Sequence, residues 1–311
     1  MSDNAKEILL KNAYVNSFNT ESEMLKMFIL ANTKCLIDDK VQRYVYIDNE
    51  RLRDELRYYK FYGSMENDVN ILNIILPVVL SNTVIEKSDI EIIELVKKYM
   101  AFLKMKEREN EYILASIIYN KVIHSIIDNP EIEYTDIMDI IKEKIIGFNP
   151  DIEKTEAVKY QMYRIKMITR IDEYSEGNRS EDGNDALTGL LNALFDIYIE
   201  DRTEENSGCE SLKNTIFSIL GKYDLDNIKN IDFVNSMAEY IIKLRGYKIG
   251  KHNYNKKANP LELINLNEGD SISDPIFNKI TIISKEMADN ILKIDISSKS
   301  GEYCFRFAKK S

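Results

Sequence analysis

The sequence contains no tryptophan and only 2 histidines, 3 cysteines, 5 prolines and 11 glycines in 311 residues. Each scarcity narrows the chemistry. Cys35, Cys209 and Cys304 are odd in number, far apart and without CxxC spacing, which argues against a disulfide framework and against a cysteine-rich zinc site. With only His124 and His252 present, a Ser/His/Asp triad, a Cys/His dyad or a histidine-rich metal centre must use one of these two. His124 stands in the apolar stretch "IIYNKVIHSIID" and is expected as a structural histidine at a helix end. No uninterrupted apolar run approaches membrane-spanning length, and the first residues lack a basic segment followed by an apolar one. A cytosolic protein without membrane contact is the expectation.

What the chain does have is 44% hydrophobic content, arranged for most of its length at helical spacing. "TESEMLKMFILANTKCLI" and "SDIEIIELVKKYMAFLKMK" each open on a hydroxyl followed three residues later by glutamate, Thr20 with Glu23 and Ser88 with Glu91, the pattern of a capping box. Thr135 is expected to cap a helix ending near Gly147, and Pro77 to kink or split "ENDVNILNIILPVVLS". Further helices are expected over about 152–173, 185–200, 210–221 and 231–245. The period changes after that. Ile280 and Ile282, Ile294 and Ile296, then Tyr303, Phe305 and Phe307 alternate with other residues in three short runs separated by "MADN" and "SKSG". The expected fold is mainly α: a multi-helix globular bundle with a small C-terminal three-stranded antiparallel β-meander. An acidic all-helical domain over 1–245 would be followed, over 246–311, by a basic linker and a β-module packed on the helical body.

Charge divides at nearly the same place. Residues 1–242 carry 29 Lys and Arg against 44 Asp and Glu, whereas residues 243–311 carry 13 against 8. The concentrated part is "KLRGYKIGKHNYNKK" at 243–257. Lys248, Lys251, His252, Tyr254, Lys256 and Lys257 are therefore candidate ligand-binding residues: lysines to meet anionic groups, rings to stack beside them. The formal net charge of −10 opposes sequence-specific nucleic-acid binding. An anionic partner protein or a small anionic ligand suits the segment better, and nothing in the sequence fixes the oligomeric state.

Other clusters have structural expectations. In "RLRDELRYYKFYGSMENDVN" the arginines are expected to pair with Asp54 and Glu55, and the tyrosines to lie at the rim of a core. In "EDGNDALTGLLNALF" Asn184 is expected to cap a helix whose first turn holds Asp185, while Leu187, Leu190, Leu191, Leu194, Phe195 and, just beyond, Tyr198 form a core-facing stripe.

Two resemblances bear on function. Arg245 and His252, with six residues between them, resemble the Arg…His spacing of HEPN-type ribonucleases, although the intervening "GYKIGK" holds two glycines. "MENDVNIL" and "GNDALTGLLNALF" resemble, in order and in the helices that follow, the two magnesium-binding places of ADP-ribosylglycohydrolases. That resemblance implies a divalent-metal hydrolase acting on a nucleotide or ADP-ribosyl bond, with Mg held by Asp68, Asp182 and Asp185. The early place has no paired aspartates between threonines, and the glycine-rich N-terminal motif of that family is missing. With no complete catalytic motif, the leading expectation is a non-enzymatic cytosolic interaction or regulatory protein without a cofactor, whose basic connecting segment contacts an anionic partner or ligand. The metal hydrolase is the alternative.

Overall fold

The structure, a computed structural model, describes residues 3–66, 69–150, 154–179, 185–200, 209–222, 228–250 and 258–308. Among these are eleven α-helices and six strands: α1 (Asp3–Asn16), α2 (Glu23–Cys35), β1 (Leu36–Asp39), β2 (Tyr44–Ile47), α3 (Asn49–Tyr62), α4 (Leu76–Ser81), α5 (Ile85–Leu103), α6 (Glu109–Asp128), α7 (Tyr134–Gly147), α8 (Lys154–Ser175), α9 (Ala186–Tyr198), α10 (Glu210–Ile219), α11 (Ile231–Arg245), β3 (Ser271–Asp274), β4 (Asn278–Ala288), β5 (Ile291–Ser298) and β6 (Gly301–Ala308). No helix is long and apolar enough to cross a membrane among the described residues.

The body is built around α6, which is apolar nearly all round and buried from Tyr112 to Ile127 except at Lys121 and Ser125, as a helix surrounded by others must be. It packs against α5, α7 and α9. Buried amides then fix how the helices meet. Asn73, wholly buried, donates to the Ser211 carbonyl (3.1 Å) and to Thr215 Oγ1 (3.0 Å), and Asn32 donates to the Ile74 carbonyl (2.7 Å). A buried amide without partners costs on the order of 1–3 kcal/mol, so these bonds hold one arrangement of helices against its neighbours.

A second core lies under the C-terminal sheet. The strands run antiparallel in the order β3-β4-β5-β6, with Ile282 opposite Ile296, Ile296 opposite Tyr303 and Ile294 opposite Phe305. The alternation read from the sequence therefore puts one apolar face inward, and α3 covers it. Tyr58 and Tyr62 of α3 pack among Phe277, Tyr303 and Phe305, with ring centroids as close as 5.0 Å (Tyr62 to Tyr303). The Tyr58 hydroxyl donates to Asp274 Oδ2 at 2.9 Å, and Asp274 Oδ1 accepts the amides of Ile276 and Phe277.

Several expectations need correcting. The sheet has four strands, not three: β3, "SISD", is four residues long with one apolar side chain and so lacks a readable alternation. The first 245 residues are not all helical, because β1 and β2 pair as a hairpin with Leu36 opposite Ile47. The cap of α2 is Ser22, whose hydroxyl accepts Leu25 N–H, while Thr20 instead accepts Ser22 N–H. Ser88 is buried inside α5, which begins at Ile85, and Glu91 reaches across to Ile47 N–H and the Tyr44 hydroxyl. Thr135 lies within α7, whose N-cap position is Glu133.

Candidate functional site

Two places collect polar side chains beyond what packing requires. The first is the start of α9. Asp185, rather than Asn184, occupies the N-cap position, and Asn184 lies outside the described residues. Asp185 Oδ1 accepts the Thr188 amide (2.9 Å) and the Tyr163 hydroxyl (3.2 Å); Oδ2 accepts the Thr188 hydroxyl (2.6 Å) and Arg170 Nη1 (2.9 Å). An ionised carboxylate offers about four lone-pair sites, and four donors meet them here. Arg170 and Asp185 are only 6% and 12% exposed, and Arg170 also donates to Thr188 Oγ1. Beside them Glu111 accepts the Ala186 amide at 3.3 Å and holds Arg108 at 2.6 Å. That bond keeps the Arg108 guanidinium above its ordinary range, while burial pushes the Tyr163 hydroxyl well up.

The second strand of this arrangement comes from the segment after Glu66. Asn70 Nδ2 donates to the Ala186 carbonyl at 3.2 Å, and its amide sits against Gly189, where a Cβ would overlap it. Cys209 Sγ also approaches Gly189, so three chain segments converge on the start of α9. Asp68 is two residues upstream of Asn70 and Asp182 three residues upstream of Asp185; both lie outside the described residues. Glu66 itself reaches the first turn of α2, accepting the Met24 amide at 2.9 Å beside the Ser22 cap. Among the described residues, no group of three or more His, Cys, Asp and Glu side chains is placed to hold a metal ion.

The second place follows α11. Arg245 is turned inward, donating to the carbonyls of Leu80 (2.8 Å) and Asn82 (2.6 Å), and so ties α11 to the end of α4. The chain then reverses: Lys248 N–H returns to the Lys243 carbonyl at 2.9 Å, with Tyr247 in the left-handed region (φ 54°). From there it runs along the β1–β2 hairpin. The Tyr247 hydroxyl donates to the Arg43 carbonyl (2.9 Å), the Arg43 guanidinium lies 6.0 Å from the Tyr247 ring, and Ile249 N–H donates to Asp38 Oδ2 (3.0 Å). Asp39 accepts the amides of Val41 and Gln42 and thereby shapes the hairpin turn. Lys40, Val41, Gln42 and Arg43 all face solvent there, Val41 being 92% exposed, and Lys87 folds over Tyr44 and donates to the Gln42 carbonyl. Lys248, exposed, stands between the two residues that meet the hairpin, its side chain lying back against Gly246, while Lys40, Arg43 and Lys87 supply the cations of the hairpin side.

Of the basic candidates only Lys248 is among the described residues; Lys251, His252, Tyr254, Lys256 and Lys257 lie outside them. Lys40, Arg43 and Lys87 were not expected there. The signal that would have found Lys40 and Arg43 is the aspartate turn "DDKVQR" between two short apolar runs, which is a hairpin pattern; Lys87, in α5, reaches the hairpin only through tertiary packing. In the arginine-rich helix α3, Arg51 and Arg53 pair with Glu55 and Asp54, each at 3.7 Å, as expected, but Tyr58 and Tyr59 are fully buried rather than at a rim, and only Tyr62 is half-buried. Compared with protein-family models, with curated proteins and with solved structures, the chain matches none of them.

Proposed function

We propose that the protein is a non-enzymatic, cytosolic interaction or regulatory protein that contacts an anionic partner through the surface where the segment after α11 lies along the β1–β2 hairpin. The observation that carries this reading is the pair of bonds from Tyr247 to Arg43 and from Ile249 to Asp38, which lay the basic segment along the exposed hairpin. In a chain of formal net charge −10, a local concentration of cations gives a partner a defined place to dock and speeds its encounter. The protruding Val41 adds apolar contact area, which suits a partner protein's surface better than a small ligand. Affinity capture from native lysate, eluted with rising salt, tests the reading: partners held by this surface leave early in the gradient, and retention insensitive to salt would count against it.

A divalent-metal hydrolase is the second reading. What favours it is the Asn70 bond to Ala186, which joins Asn70, two positions after Asp68 in sequence, to the helix start that Asp185 caps. What weighs against it is the Asp185 carboxylate, already taken by Arg170, Tyr163 and Thr188. Thermal-shift measurements with Mg, Mn and ADP-ribose separate the two. Stabilisation that disappears in Asp68→Ala would support the hydrolase, whereas an unchanged melting temperature at millimolar ligand fits the interaction protein.

A further inference from the structure

Helix α8 exposes Val158, Met162 and Ile165 at 67%, 68% and 64%, while Tyr160, Met167, Ile171 and Tyr174 are buried on its other face. The three exposed side chains are spaced i, i+4, i+7, and Thr169 continues the line, so they form one outward stripe. Single exposed apolar residues need no explanation, but a stripe of three large ones on one helix marks a contact surface. Exposed Ile146, at the end of α7, is close by: its carbonyl accepts a hydrogen bond from Arg164.

The charges along α8 indicate what covers the stripe. Lys154, Lys159, Arg164 and Lys166 occupy its first thirteen residues against Glu156 alone, and Asp172, Glu173 and Glu176 gather at its end. The acids at its end run against the helix dipole, which favours bases in the last turn. The helix's own stability therefore does not account for them. Of the pairs formed within the chain, Lys159 with Glu156 and Lys142 with Asp172 are solvent-exposed and weak enough to exchange. A second α8 laid antiparallel across the first sets each basic half beside the other's acidic end, with the apolar stripes meeting near Ile165. A two-fold axis needs only this one surface, used twice.

We propose that α8 is a self-association surface that pairs antiparallel with α8 of a second copy of the chain through Val158, Met162 and Ile165. Light scattering and sedimentation of the full chain across the micromolar range test this. The parent protein is expected to pass from monomer to dimer as concentration rises, and Met162→Glu or Ile165→Glu to raise the dimer dissociation constant at least tenfold with an unchanged far-ultraviolet circular dichroism spectrum. Geometry is read independently by oxidative cross-linking. Near the two-fold axis, Ile165→Cys is expected to form a disulfide-linked dimer, while Val158→Cys, facing the opposite end of its partner helix, is not. A parent chain that stays monomeric throughout, glutamate variants that dimerise like the parent, or equal cross-linking at both cysteine positions would each overturn the proposal.

Discussion

Arg170 and Asp185 form a buried ion pair, 2.9 Å between Nη1 and Oδ2, and Thr188 is hydrogen-bonded to both partners. The pair turns the acidic start of α9 into a joint between α8 and α9. Removing the carboxylate takes the ionic partner from a buried guanidinium and the cap from the helix, which costs about 3–5 kcal/mol for a broken buried pair. Asp185→Ala is therefore expected to lower stability by that amount in urea unfolding, whereas Asp172→Ala, at a solvent-exposed pair, should leave the urea midpoint nearly unchanged.

His124 gives the fold a pH dependence. It is buried on α6, its Nε2 has no hydrogen-bond partner among the described residues, and burial, reinforced by the Arg245 charge, lowers its pKa to about 4. The unfolded chain, with a histidine near pKa 6.5, binds the extra proton first. Stability is then complete above about pH 6.5 and falls as pH drops toward 4, by roughly 3 kcal/mol in total. In His124→Gln the loss between neutral and mildly acidic pH should shrink, measured as the difference in urea midpoints. An identical pH profile for parent and variant would remove this role.

The sheet is held to the body through aromatic packing around Phe277, which meets Tyr58, Tyr62, Tyr303 and Phe305 and lies under the Lys34 ammonium at 5.3 Å. Phe277→Ala is expected to cost about 3–5 kcal/mol. Hydrogen exchange should accelerate in β4, β5 and β6 more than in α6, because the ring belongs to the core under the sheet. Uniform acceleration across both regions would mean that the two cores open together.

Much of this was legible in the sequence where one periodicity ran unopposed. The stripe from Leu187 to Phe195 becomes the buried face of α9, and the alternation from Ile280 to Phe307 becomes the inner face of β4, β5 and β6. The β1–β2 hairpin was hidden because Asp38 is buried at an inward position and interrupts the apolar alternation, its carboxylate answering the Ile249 amide from far along the chain. Ser88 misled for a related reason. A hydroxyl three residues before a glutamate is a helix start only if the chain is not already helical, and here Asn120 engages Ser88 from across the α5–α6 contact. At the candidate sites the residue types were visible, but not their partners. That Asp185 meets Arg170, and Tyr247 and Ile249 the β1–β2 hairpin, are facts of tertiary structure.

The central claim is that cations gathered by the hairpin and the segment after α11 hold an anionic partner. It is tested most directly by comparing affinity capture by the parent protein with capture by a variant in which Lys40, Arg43, Lys87 and Lys248 are all changed to glutamate. Loss of a partner retained by the parent, at unchanged melting temperature, is the predicted result; a variant that retains every partner of the parent would contradict the claim.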